Sequence, residues 1–335
     1  MKTKLHLIFI LFLISVLFFS CGDNKKTSQE KNKSIIQKSE KIFVPDFNAD
    51  SAYYFVAKQV EFGPRVPGSK ANSACAIFLE NTLKRFSPDV TVQNFKARIF
   101  NGTIFNGKNI IVSFNPEIQS RIFLCAHWDS RPFADHDPDK NNFNKPIDGA
   151  NDGASGVGVL LEIARQLKLY KPKLGVDIIL FDMEDYGTPE SLQSNKEDTW
   201  ALGSQYWSKN PHKINYRARY GILLDMVGAS DATFTMEGTS MYYAPDIMKK
   251  VWDVANKIGY QDYFISDQTN GIIDDHYYIN DIINIPTIDI IHHDPNTRSG
   301  FFRHWHTIND NIDVIDPATL KVVGQTVLTV IFEER

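Results

Sequence analysis

Three apolar runs in this chain end in acids or a histidine, and that recurrence constrains the fold more than any other feature. The stretch Phe181-Asp182-Met183-Glu184-Asp185-Tyr186-Gly187 closes the run 176–181, the run from Arg121 ends at His127-Trp128-Asp129, and the run from Tyr220 ends at Asp225-Met226. Neighbours on a regular strand point to opposite faces, so Glu184 and Asp185 can share one cavity only where strand gives way to loop. Open parallel sheets place their ligands there, beyond the carboxyl ends of the strands. The three run ends therefore predict one charged site along one edge of a sheet.

The remaining periodicity supplies the layers around that sheet. Helical spacing predicts helices over 50–60, 71–83, 153–169, 200–210, 247–258 and 317–331, the last entered through Pro317, whose missing amide costs nothing in a first turn. Short apolar or alternating runs predict strands over 90–99, 109–114, 122–126, 176–181, 222–224 and 285–290. Alternation of the two implies an α/β fold with a mixed, largely parallel central sheet flanked by helices. With 335 residues, 43% of them hydrophobic, the chain can bury one large core, assigned to residues 41–335. A net charge of −4 offers no basic field for a phosphate backbone, which excludes nucleic acid as the partner.

The first residues stand apart from this domain. Lys2 and Lys4 precede the apolar run 5–19, and Ser20-Cys21-Gly22 follows, the layout of a signal peptide over residues 1–20. Leu17-Phe18-Phe19-Ser20-Cys21 resembles a bacterial lipoprotein processing site, with Phe18 and Phe19 bulkier than its usual pattern. Lipidated Cys21 would then hold the protein at a membrane, in a bacterial cell envelope and facing the periplasm or exterior. Residues 21–40, polar and nearly without apolar side chains, read as a tether. Cys75 and Cys125, the two cysteines beyond it, are expected as buried thiols.

Chemistry concentrates in a few segments. His127 and Asp129 lie two apart, so on extended chain both leave one face and could reach one metal or one substrate. Asp148-Gly149-Ala150-Asn151-Asp152-Gly153-Ala154-Ser155-Gly156 sets two acids among residues that let backbone approach closely, and Asp152 could also cap the following helix. His292-His293-Asp294 looks metal-like, but adjacent histidines on a strand diverge. The late segment Arg303-His304-Trp305-His306-Thr307 adds an imidazole to three acid-bearing segments, a mixture zinc accepts.

The set Ala126-His127-Trp128-Asp129-Ser130, Gly149 to Gly156, Phe181 to Asp185, Leu224 to Ala229, Asp274-Asp275-His276 and Trp305-His306-Thr307 resembles the zinc aminopeptidase fold family, peptidase family M28, in its glutaminyl-peptide cyclotransferase branch. The likeness runs from about Asp50 to the C-terminus. It implies a monomeric enzyme that converts the N-terminal glutamine of peptides or proteins to pyroglutamate and releases ammonia. Asp152, Asp185 and His306 correspond to the ligands of one zinc, and Glu184 to the proton-transferring glutamate. Asp225 and Asp274 correspond to an acidic pair near the leaving group. Trp305 corresponds to the aromatic wall, with Trp128, Trp200 and His276 as further pocket residues. His127 stands where two-zinc aminopeptidases hold their other ion, so such an aminopeptidase is the alternative. Position 185 departs from the glutamate common in animal enzymes, and the shorter aspartate leaves reach to be made up by the backbone.

Overall fold

The computed structural model describes residues 42–192 and 198–334, so the expected signal peptide, tether and Cys21 lie outside the described residues. In chain order the main elements are α1 (Ala49–Val60), α2 (Lys70–Phe86), β1 (Val90–Arg98), β2 (Ile104–Phe114), β3 (Arg121–His127), α3 (Ala154–Leu169), β4 (Gly175–Phe181), α4 (Leu202–Lys209), β5 (Gly221–Asp225), β6 (Phe234–Met236), α5 (Gly238–Tyr243), α6 (Pro245–Lys257), β7 (Phe264–Gln268), α7 (Asp275–Tyr278), β8 (Thr287–Ile291) and α8 (Pro317–Glu333). Side-chain caps start several helices: Asn48 accepts from the Ser51 amide, Ser69 from Asn72, and Asp316 from Ala318 just after Pro317 opens α8.

Among the described residues the main sheet runs β1-β2-β4-β3-β5-β8. Strands β4, β3, β5 and β8 are parallel, while β2 is antiparallel to both of its neighbours. The sheet is thus mixed and largely parallel, as predicted. Register sets His127 opposite Phe181 and Asp225 opposite Ile291, so the carboxyl ends of the four parallel strands share one edge.

Strand alternation sorts the core into two layers. Ile122, Leu124 and Ala126 of β3 face the side where Val157, Leu160 and Leu161 of α3 and Val323 and Val327 of α8 pack. Phe123 and Cys125 face the other side, against Trp207 of α4 and Ile279. Cys75 and Cys125 are buried and unbridged, as expected.

Several element boundaries differ from expectation for local reasons. Strand β2 begins at Ile104 rather than 109, because its polar first half pairs with β1 down to Arg98 opposite Ile104. Strands β6 and β7 form a separate parallel pair that is too short to show alternation in sequence. Asp152 does not cap α3: the capping position is Gly153, at φ 102° and without a side-chain hydrogen bond. Helix α4 starts at Leu202, after Ala201 at φ 52°, and this leaves Trp200 outside the helix.

At the amino end of the parallel strands, Arg121 grips buried Asp177 through Nε to Oδ2 at 2.6 Å and Nη2 to Oδ1 at 2.7 Å, and Tyr216 donates to the same carboxylate at 2.7 Å. Burial alone would raise the Asp177 pKa, but these partners hold it below the usual carboxylate value. A pKa depressed on folding stabilises the protein fully above the unfolded value of about 3.9 and is lost as pH falls through the folded one. Arg121→Ala strands that charge, so urea titration at pH 7 should show a loss of about 3–5 kcal/mol. The gap should narrow on acidification below about pH 4, as Asp177 becomes neutral.

Candidate metal centre

Strand β4 leaves the sheet at Phe181, and Met183 then adopts a left-handed backbone at φ 62°. In the turn that follows, the Glu184 and Asp185 amides donate to the two oxygens of Asp129, each at 3.1 Å. Both acids are thereby carried to the wall of one cavity. A second carboxylate, Asp310, accepts from the Asn151 and Asp152 amides at 2.8 and 3.0 Å and sets the loop before α3. Gly153 is required in that loop: a Cβ there would lie 2.6 Å from the Asp129 carbonyl oxygen and 3.0 Å from the His127 ring. His306, itself at φ 53°, stacks on Trp305 with ring centroids 3.8 Å apart.

These turns converge on a cavity of about 250 Å³ lined by Asp152, Glu184, Asp185, Asp225, Asp274 and His306, with Trp200, Trp305, Ile272, Ile291 and Phe301 as apolar wall. His306 Nε2 lies 3.2 Å from Asp185 Oδ1 and 3.6 Å from Asp152 Oδ2. One donor atom from each residue falls within 4.8 Å of the others, and both Asp185 oxygens are buried without a hydrogen-bond donor. Two carboxylates and an imidazole, oriented together and short of partners, fit a zinc ion. Catalytic zinc sites use three protein ligands and leave a fourth position for water or substrate.

Asp152 also faces the other way. His127 Nε2 lies 3.1 Å from Asp152 Oδ1 and 3.3 Å from Asp225 Oδ1, and its Nδ1 is 3.4 Å from Asp129. Burial opposes a charged ring here, yet the hydrogen bonds to Asp129, Asp152 and Asp225 raise the His127 pKa well above its ordinary value. Burial drives the Glu184 pKa well up, with repulsion from Asp274 and Asp185 adding to it against the pull of His127. Burial likewise pushes Asp225 up to about 7, although its hydrogen bond to His127 works against this. Asp274 is raised by the same desolvation.

Two sequence-predicted pocket residues are elsewhere. Trp128 is fully buried in the core beneath α3 and donates its indole N–H to the Lys108 carbonyl, because β3 ends at His127 and the next side chain turns inward. His276 is fully buried at the start of α7, with Nε2 3.0 Å from Glu237 Oε1, and does not line the cavity. Asp129 also faces backbone amides rather than the cavity. The other predicted residues, Trp200 and Trp305 included, meet there, with His127 directly behind Asp152.

Supporting residues escaped sequence reasoning. Arg131, 1% exposed, donates to the Asp185 carbonyl at 3.1 Å and to both Asp135 oxygens at 2.8 and 2.7 Å. Its guanidinium lies 4.6 Å from the Trp200 ring, which is parallel to His306 at 6.1 Å. Asp135 Oδ1 approaches His306 Nδ1 at 3.5 Å, the outer-shell carboxylate that commonly orients a ligating imidazole. No spacing marks Arg131 or Asp135 in the sequence; Asp310 sits four residues after His306, in a segment read for Trp305 and His306.

A largely parallel α/β sheet carrying such a donor set at its carboxyl edge defines a metal-dependent enzyme. The family model "Peptidase family M28" matches residues 109–331, and the chain belongs to that family. A crystal structure of the Bacteroides thetaiotaomicron glutaminyl cyclase bound to N-acetylhistamine is 54% identical, with a TM-score of 0.86 over 88% of this chain and 100% of that one. The glutaminyl-peptide cyclotransferase of Drosophila melanogaster is 26% identical over 76% of this chain and 73% of its own length. Aminopeptidase YwaD of Bacillus subtilis is 28% identical over 63% of this chain, which spans only 40% of that relative.

Asp310→Ala removes both acceptors that orient the Asn151-Asp152 backbone. Chelator competition should show metal affinity reduced by about 10–100-fold, with the helical and strand content unchanged by circular dichroism.

Proposed function

We propose that this chain is a zinc-dependent glutaminyl-peptide cyclotransferase, converting the N-terminal glutamine of peptides or proteins to pyroglutamate with release of ammonia. The observation that carries it is Glu184, a buried acid with a raised pKa in a cavity beside a three-donor metal set. At about 250 Å³ the cavity falls below the ~300–1,000 Å³ of drug-sized sites and suits one terminal residue.

Asp152, Asp185 and His306 would hold one zinc, which would supply a Lewis acid to polarise the side-chain amide oxygen. The substrate's α-amine attacks its own side-chain amide carbon, and a five-membered lactam forms. Glu184 takes the proton that the amine loses and returns it to the amide nitrogen as the carbon–nitrogen bond breaks, so ammonia departs and Glu184 is regenerated. Desolvation poises Glu184 for that exchange, because a carboxylate of ordinary pKa would hold the proton too weakly. Asp225 and Asp274, both raised by burial and both on the cavity wall, are placed to hydrogen-bond the departing ammonia. Trp200 and Trp305 wall the glutamine side chain and keep water from competing with the amine.

A two-zinc aminopeptidase is the second reading, favoured by the sharing of Asp152 between the His306 set and a His127-Asp152-Asp225 set. In the cyclotransferase His127 instead bridges Asp152 and Asp225 by hydrogen bonds, with no second ion. Incubation with glutamine-initiated and leucine-initiated peptides separates the two, with zinc counted on the same preparation. Ammonia without chain shortening and one zinc per chain is expected; free leucine and two zinc ions would overturn the assignment. Glu184→Gln should retain zinc and lose about 10²–10⁴-fold in turnover.

Residues 1–20 are cleaved as a signal peptide, Cys21 carries the lipid, residues 21–40 tether the domain, and residues 41–335 act as a monomer in the bacterial envelope. Labelled palmitate should be incorporated by the full-length protein and not by Cys21→Ala; equal labelling of the two would reject the anchor.

A further inference from the structure

The cavity at the metal centre does not end at its apolar wall. Ile272, Ile291 and Phe301 also wall a second cavity of about 140 Å³. That cavity in turn shares Thr235, Thr269, His292 and His293 with a cleft of about 880 Å³ beside the β6-β7 pair. The three volumes adjoin in a row. Of the three, only the first is lined by a complete three-donor metal set, and it admits a single residue. Each further residue of an extended peptide adds roughly 3.3–3.6 Å, so the chain behind the cyclised residue must pass across the outer walls or into solvent.

Charge distinguishes the cleft from an ordinary surface furrow. Asp231, Asp267, Asp294 and Asp313 line it, and Arg303 is the one guanidinium or ammonium among the described residues that do. Asn296 donates to Asp294 from backbone and side chain, which keeps that carboxylate ionised. His292, 5% exposed, has a buried Nδ1 with no hydrogen-bond partner on the wall common to both outer cavities. The two histidines of the predicted metal-like run therefore belong to this wall, and no donor triad forms around them among the described residues.

We infer that the row of cavities is a subsite for the residues following the N-terminal glutamine, and that it selects peptides carrying lysine or arginine there. The inference rests on the proposed cyclisation for its substrate and adds to it the class of peptide preferred. The four carboxylates attract a basic tail, and the apolar wall shared by the first two cavities leads the passing chain toward them. An acidic tail meets the same carboxylates as repulsion.

The test compares kcat/KM at low salt for three C-terminally amidated peptides: Gln-Ala, Gln-Ala-Lys-Lys and Gln-Ala-Glu-Glu. The basic peptide should exceed the acidic one by about tenfold, and the ratio should shrink in high salt. In an Asp267→Asn, Asp313→Asn double variant the ratio should fall toward one, while Gln-Ala conversion stays unchanged. Equal rates in the unaltered protein, or a ratio that survives in the double variant, would overturn the subsite. A lack of Gln-Ala conversion would sink the cyclisation reading alone, so both tetrapeptides are also titrated by fluorescence anisotropy. Tighter binding of the basic peptide, lost in the double variant, supports the subsite independently of turnover; equal affinities reject it.

Discussion

Two carboxylates that never face the cavity hold the centre together. Asp129 collects the amides of Glu184 and Asp185, and Asp310 collects those of Asn151 and Asp152. Each clamp fixes backbone rather than side chain, and that distinction matters. Side chains crowded with like charge would otherwise splay, because the repulsion among Asp152, Glu184, Asp185, Asp225 and Asp274 is only partly offset by His127, His306 and Arg131 until a cation arrives. Anchoring the peptide planes by charge-assisted hydrogen bonds makes the cluster independent of its own electrostatics. The shorter Asp185 reaches His306 because the turn at Met183 brings the backbone itself forward.

Much of this was legible because it follows from periodicity. The run ending at Phe181, the helix after the Gly153 loop and the Pro317 start all appear close to where the spacing places them. The residues facing the cavity were legible too, since acids and histidines at apolar run ends have few other reasons to be there. Trp128 and His276 show the limit. Both adjoin motif residues in sequence, but β3 turns Trp128 into the core, and the Glu237 side chain holds His276 behind the wall. Adjacency in sequence gives no side-chain direction once a strand has ended. Arg131, Asp135 and Asp310 were illegible for a different reason: their roles depend on long-range pairings that carry no local signature.

The same site accommodates two chemistries on nearly the same residues, and the difference lies in what neutralises Asp225. If His127 bridges it to Asp152, the acid can share a proton with its surroundings; a second ion would consume both groups. Family membership alone leaves that choice open, since cyclases and aminopeptidases both resemble this chain. The tryptophans narrow it structurally. Trp200 and Trp305 flank His306 and shrink the space next to it to the scale of one side chain.

The Asp152 amide reaches Asp310 across 158 residues of chain. Closing so long a loop is entropically slow, and the contact cannot form until α3, the central strands and the C-terminal segment have all docked. A nascent or half-folded molecule thus possesses no assembled ion trap. Loading with metal becomes the last event of maturation, and an incompletely folded polypeptide stays inert.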